Sequence, residues 1–313
     1  MTDGRFVTRL RVHREAGDGG GRPVWRKDGA DWPNREASRF VRAGGLEWHV
    51  QQMGAGPVLL LVHGTGAATH SWRDLAPLLA EQFTVIAPDL PGHGFTSLPP
   101  PAGLSLPGMA QALGGLLEAL DARPVIAVGH SAGAAILSRM CLDSRIAPSQ
   151  LVSLNGALMP LRGLPGQVFS PMAKLAAATS LLPRLFAWHA RADRKVIERL
   201  IRDTGSTLDP VGTELYQRLA RSPGHVGAAF GMMAQWDLHA LARDLPRLQT
   251  PLTLVVGGRD RAIPASDAER VRRLLPAARL VPLPDLGHLA HEERPDEVAG
   301  IILDLASASA RPS

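Results

Sequence analysis

The stretch Ala127-Val-Gly-His-Ser-Ala-Gly-Ala-Ala135 narrows the fold more than any other part of this chain. It starts inside an apolar run, Val125-Ile-Ala-Val128, of the length and composition of a strand covered on both faces. It ends in Ala134-Ala-Ile-Leu137, which suits a helix. Between them a single serine stands flanked by Gly129 and Gly133. A strand that turns at once into a helix belongs to an α/β sheet. At so tight a turn, side chains in place of the two glycines would collide with the neighbouring strand and helix. The pattern is G-x-S-x-G, a nucleophile elbow. Its turn presents Ser131 Oγ at the carboxyl end of the strand, and the first amides of the next helix point at any negative charge developing there.

The rest of the chain alternates between strand-like and helix-like runs, as an α/β fold requires. Arg39–Gln52 reads as a hairpin turning at Gly44-Gly45. Short apolar runs at Pro57–Val62, Phe83–Ala87, Leu151–Leu154 and Leu252–Val256 read as further strands. Arg279–Leu283 reads as an edge strand, because Pro282 cannot serve a central ladder. Helical spacing covers Met109–Leu120 and Pro295–Ala306. From Leu161 to Asp244 strands vanish, and so long an interval between consecutive strands cannot be a simple connection. The expected organisation is a basic, flexible N-terminal extension over residues 1–30, a core from 31–160 and 245–313, and a helical cap inserted at 161–244. The central sheet should be mostly parallel and flanked by helices.

Composition excludes several classes. Cys141 is the one cysteine among 313 residues, so no internal disulfide can form. The N-terminus lacks the apolar core of a secretory signal. Leu175–Trp188, interrupted by Pro183 and Arg184, falls short of the roughly 20 apolar residues of a membrane span. A soluble cytoplasmic protein is expected. The net charge is +5, and residues 1–42 carry ten Arg/Lys against six Asp/Glu. Gly17-Asp-Gly-Gly-Gly21 favours a solvated terminus over an electrostatic arm for an anionic membrane or acidic partner. Nucleic acid is a poor fit, because acids dilute the basic residues. The histidines lack metal-ligand spacing, so neither a metal nor another cofactor is expected.

A serine hydroxyl needs a base to take its proton near neutral pH. Leu283-Pro-Asp-Leu-Gly-His288 supplies His288 in a glycine-containing loop after the last strand. His291 is its rival, expected as a capping or surface residue. A carboxylate must hold the base's tautomer and stabilise the imidazolium. Asp260 stands in the loop after the strand Leu252–Val256. The other place for such an acid, after the preceding strand, reads Asn155, which cannot serve. The order Ser131, Asp260, His288 results. Two backbone N–H groups should form an oxyanion site: Ala132, after the nucleophile, and Thr65 in His63-Gly-Thr-Gly66, where Gly64 and Gly66 allow close approach. His63 and His130 are expected to buttress loops, and Asp89-Leu-Pro-Gly-His-Gly94 to form a turn without a catalytic step.

In this order and spacing, "HGTG", "DLPGHG", "GHSAG", "GGRD" and "LGH" resemble the α/β-hydrolase superfamily. "DWPNREASRFVRAGGLEWHVQ", "HGTGAATHSWRDLAPLLA", "LSLPGMA" and "LNGALMP" resemble, more narrowly, the magnesium chelatase accessory proteins of bacteriochlorophyll biosynthesis. That resemblance runs from Asp31 onward. It implies an α/β-hydrolase fold and cytoplasmic action beside photosynthetic membranes, with a tetrapyrrole as small-molecule ligand and magnesium chelatase subunits as partners. Two functions follow: a serine hydrolase of ester or related acyl bonds, and a porphyrin-binding chelatase accessory whose triad is idle. Serine at the elbow argues against epoxide hydrolase and dehalogenase chemistry, which use aspartate there. For the second function, Phe186, Trp188, Phe230, Met233 and Trp236 are the candidate lining of a flat apolar cap pocket, with Met172, Leu181 and Met232 nearby. Arg184, Arg191 or Arg194 could pair with propionates at its rim.

Overall fold

A computed structural model describes residues 21–160, 179 and 181–309. Eight strands form one sheet: β1 (Ser38–Ala43), β2 (Leu46–Met53), β3 (Val58–Val62), β4 (Thr84–Pro88), β5 (Pro124–His130), β6 (Gln150–Leu154), β7 (Leu252–Gly257) and β8 (Arg279–Leu283). Their order is β1-β2-β4-β3-β5-β6-β7-β8. The β1–β2 hairpin pairs antiparallel with itself and with β4, and every later pairing is parallel. Gly44 and Gly45, at φ 57° and 77°, take the left-handed conformations that a two-residue hairpin turn demands. β8 lies at the edge with Pro282 opposite Val256.

The sheet separates two apolar layers, and β3 shows how the sequence builds both. Leu60 and Val62 enter one layer with Trp48, Met109 and Ile136, while Leu59 and Leu61 enter the other with Trp72, Leu75 and Ile302. Successive side chains point to opposite faces, so a continuous apolar run is what a doubly covered strand needs. Each such side chain contributes about 1.5–3 kcal/mol by leaving water.

The helices are α1 (Trp25–Asp28), α2 (Leu75–Ala80), α3 (Leu106–Ala119), α4 (Ala132–Leu142), α5 (Leu181–Ala192), α6 (Lys195–Asp203), α7 (Pro210–Ala220), α8 (Pro223–Ala234), α9 (His239–Asp244), α10 (Ala265–Leu274), α11 (Ala290–Glu293) and α12 (Pro295–Ser309). α3 begins three residues earlier than its periodicity suggests. Ser105 caps it by accepting from Gly108 N–H, and Pro107 fits the first turn. Between β6 and β7 the described residues form helices α5 to α9 and no strand. Met172 lies outside the described residues.

The N-terminal expectation needs correction from Gly21 onward. Arg22 donates to the Thr96 carbonyl, and Gly224 N–H donates to the Gly21 carbonyl. Trp25 packs edge-on against Phe40 and Phe95, beneath the Arg35 guanidinium. Arg218 on α7 grips the Asp28 carbonyl and the Asp31 carboxylate. Residues 21–30 are therefore docked on the hairpin and on α7 and α8 rather than free. The tryptophan anchors outweigh the glycine-rich composition that suggested a solvated tail. Residues 1–20 of the expected extension lie outside the described residues.

Candidate active site

Ser131 occupies the junction of β5 and α4 with φ 50° and ψ −116°, a strained conformation for a residue with a Cβ. Three backbone hydrogen bonds hold it. Its N–H donates to Leu154 O at 3.0 Å, and its carbonyl accepts from Ala134 N at 3.2 Å and Ala157 N at 3.0 Å. The flanking glycines leave no room for side chains. A Cβ at Gly133 would lie 2.1 Å from Val62 O, and one at Gly129 2.4 Å from Ala134 N. Gly64 brings the loop after β3 equally close, since its Cβ would stand 2.9 Å from the Cβ of Ser131.

Asp260 follows β7 and His288 follows β8. His288 Nδ1 lies 2.8 Å from Asp260 Oδ2, with the carboxylate fully enclosed. Asp260 Oδ1 accepts from the amides of Ala262 and Ile263, both at 2.8 Å, which fixes the carboxylate's orientation. With Nδ1–H committed to Asp260, Nε2 is the basic nitrogen of His288. The neighbour of Ser131 completes the arrangement. His130 Nε2–H donates to the His288 carbonyl at 3.0 Å, and the two rings lie 4.7 Å apart. Burial drives the His130 imidazole well below its ordinary range, so it is neutral and acts as a buttress.

Asn155, which the sequence marked only as a residue unable to act as the acid, is the clamp of this region. Its Nδ2 donates to the carbonyls of Gly287 and His288 at 2.9 and 2.8 Å. Its Oδ1 accepts from Gly257 N–H at 2.6 Å. One amide thus ties the end of β7 to the histidine loop. No sequence spacing signals this, because the partners lie 102, 132 and 133 residues away. The loop is held further by Gly287 N–H on Glu293 and Leu289 N–H on Ser206.

The loop carrying Thr65 is held from several sides. His63 Nδ1–H donates to the Gly64 carbonyl at 2.8 Å, while its Nε2 accepts from Leu90 N–H at 2.9 Å. His225 on α8 donates from Nε2 to the Gly66 carbonyl at 3.1 Å and accepts at Nδ1 from Gly94 N–H at 3.0 Å. Thr65 Oγ1 donates to Met232 Sδ, two turns further along the same face of α8, at 3.4 Å. Burial pushes His225 down to about 4, so the ring is neutral and keeps both bonds at physiological pH. The Asp89–Gly94 turn is structural. Asp89 accepts from Thr69 N–H, Phe95 N–H and His49, and a Cβ at Gly94 would lie 2.2 Å from its carboxylate. Burial works to raise the Asp89 carboxyl, but His49 and the Phe95 amide hold it below the usual range.

Two expectations are corrected. His291 is buried rather than capping or exposed. Ser71 Oγ accepts from His291 Nε2 at 2.9 Å and donates to Glu292 at 2.6 Å, and Tyr216 OH on α7 donates to the same carboxylate oxygen at 2.7 Å. Burial pushes Glu292 up to about 7 against these bonds and the nearby Arg73, and pushes His291 down to about 3. The candidate cap pocket also fails to converge as drawn. Phe186 and Phe230 meet edge-on at 6.0 Å, and Met233 and Trp236 are half-buried. Trp188, however, is 65% exposed on the outward side of α5. Beside the Asp260 loop, Ser153, Asn155, Leu158, Val256, Ile263 and Pro264 line a small indentation of about 20 Å³, room for about one water molecule.

The chain is similar to known proteins over most of its length. The chain is 40% identical over 277 residues to the magnesium-chelatase 30 kDa subunit of Rhodobacter capsulatus, covering 88% of this chain and 96% of that protein. It is 28% identical over 285 residues to the 2-hydroxy-6-oxo-2,4-heptadienoate hydrolase of Pseudomonas putida, covering 88% and 98%. A solved α/β hydrolase fold protein from Burkholderia ambifaria superposes with a TM-score of 0.74 at 26% identity, covering 86% and 97%. The alpha/beta hydrolase family profile spans residues 59–301, from β3 into α12 and through every site residue named above. The chain is thus a member of the alpha/beta hydrolase family and a homologue of the magnesium-chelatase 30 kDa subunit.

Proposed function

We propose that this protein is a serine hydrolase of an ester or related acyl bond, acting on a tetrapyrrole-class small molecule at the magnesium chelatase step of bacteriochlorophyll synthesis. The observation that carries the chemistry is the enclosed Asp260–His288 hydrogen bond on the loops after β7 and β8, beside the strained Ser131 elbow. Ser131 Oγ attacks the acyl carbon while His288 Nε2 takes its proton. The amides of Thr65 and Ala132 stabilise the oxyanion, and each such donor is worth about 10²–10³ in rate. His288 then protonates the leaving group, and a water molecule, activated in the same way, releases the acyl group and restores the serine. Asp260 holds the imidazole in the required tautomer throughout.

The relationship to the chelatase subunit supports the pathway, and with it a place beside chelatase subunits at the cytoplasmic face of a pigment-making membrane. The same relationship favours one second reading, a porphyrin-binding accessory in which Ser131 performs no chemistry. Two measurements separate them. A fluorophosphonate probe should label the wild type and not Ser131→Ala, and magnesium chelatase assays supplemented with Ser131→Ala should lose the stimulation given by wild type. Absence of labelling in the wild type defeats the hydrolase reading. Full stimulation by Ser131→Ala, with Soret-band shifts on adding protoporphyrin, establishes the accessory reading.

A further inference from the structure

Helix α5 is built inside out for a surface helix. Its inward side is small: Pro183, Ala187 and Ala190 are buried. Its large apolar residues face solvent, with Leu181 58%, Leu185 49% and Trp188 65% exposed, and Leu182 beside them at 36%. Leu181, Leu185 and Trp188 recur at i, i+4 and i+7, so they form one stripe. Amphipathic surface helices turn such a stripe toward the core, and a contiguous apolar face left in water marks a contact site. Phe186, at the side of the stripe, packs on Phe230 and fixes the helix against α8.

The charges around this stripe are of one dominant sign. Arg184 and Arg191 are exposed on α5 beside Trp188. Across residues 181–203 there are six Arg/Lys against three Asp/Glu, a net +3. Asp193 pairs with Arg199, so that pair cancels within the count, and Arg191 also donates to the Arg221 carbonyl. The sequence immediately before α5 continues the composition, since residues 169–188 contain no acid. An apolar stripe of leucines with a tryptophan, bordered by arginines, matches a helix lying in the plane of a bilayer interface. The tryptophan would rest at headgroup depth, and the arginines would pair with lipid phosphates. Among the described residues no helix is long and apolar enough to cross a membrane, so contact along a helix face is the mode left to this element.

We infer that the outward face of α5 docks the protein on an anionic lipid bilayer. This rests on the helix face and its charges, and it stands whether or not Ser131 is a nucleophile. The test is flotation of the full-length protein with vesicles of phosphatidylcholine alone or mixed with phosphatidylglycerol. The wild type should float with the anionic vesicles and be released by high salt. Trp188→Asp and Leu185→Asp should each reduce the bound fraction at least about tenfold, as loss of one buried large apolar side chain implies. Arg184→Glu with Arg191→Glu should abolish the preference for anionic lipid. Leu185 is half exposed and Trp188 mostly so, so circular dichroism should not change and the thermal midpoint should shift little. Wild-type protein that stays unbound with anionic vesicles overturns the inference, as does Trp188→Asp binding like wild type. If Trp188→Asp loses pull-down by a purified chelatase subunit while the wild type ignores vesicles, the face belongs to a protein partner and the inference also falls.

Discussion

Ser131, Asp260 and His288 stand out in the sequence as candidates because each sits in a short local pattern: a serine between glycines after an apolar run, an aspartate after GGR, a histidine after a glycine. Asn155 has no such pattern. Its importance comes from three buried backbone partners on two distant loops. Removing it leaves Gly257 N–H and two carbonyls without that amide in a buried position. Asn155→Ala should therefore cost about 1–3 kcal/mol of stability. Because the clamp holds the histidine loop, the rate of fluorophosphonate labelling should fall further than stability alone explains. Thermal denaturation and labelling kinetics on the same preparation check both effects. Unchanged labelling in a destabilised variant would leave Asn155 with a purely structural role. Asn155→Asp should be worse than alanine, since a carboxylate would face the Gly287 and His288 carbonyl oxygens.

At the scale of elements, the strands were legible because a doubly covered strand must be continuously apolar, and Pro282 marked the edge. The start of α3 was not, because Ser105 sets it through a cap rather than through periodicity. Nor was the docking of Trp25, whose partners Phe40 and Phe95 lie in other segments. The least legible link is α8. A histidine and a methionine seven residues apart reach the loop that carries Thr65. His225→Ala should lower kcat about 10–100-fold with KM little changed, less than outright loss of an oxyanion donor. His225→Gln, able to reach the Gly66 carbonyl, should recover part of kcat, whereas His225→Asn, able to reach only Gly94, should not. Steady-state kinetics with an activated ester give the answer, and an equal fall for all three variants would show a general packing role instead.

The whole molecule carries a pH signature in the Ser71–His291–Glu292–Tyr216 network, which joins the 3₁₀ turn Thr69–Trp72, α7 and α11. Glu292 is raised from 4.5 to about 7, so the folded protein holds a proton that the unfolded chain has released. Its contribution is fully present below about pH 4.5 and is lost as pH rises through about 7, by at most about 3 kcal/mol. Glu292→Gln keeps an acceptor for Ser71 and Tyr216 and should flatten this decline. Thermal midpoints compared between about pH 5 and about pH 8 measure it, and an equal slope in both proteins would remove Glu292 as the source.

The seating of α8 has a bearing on traffic. A lid that swung away on this helix would carry off the supports of Gly66 and Thr65, and the proposed oxyanion pocket would loosen as the door opened. α8 is a fixed wall. On the proposed hydrolase reading, whatever enters must pass where that wall does not have to move.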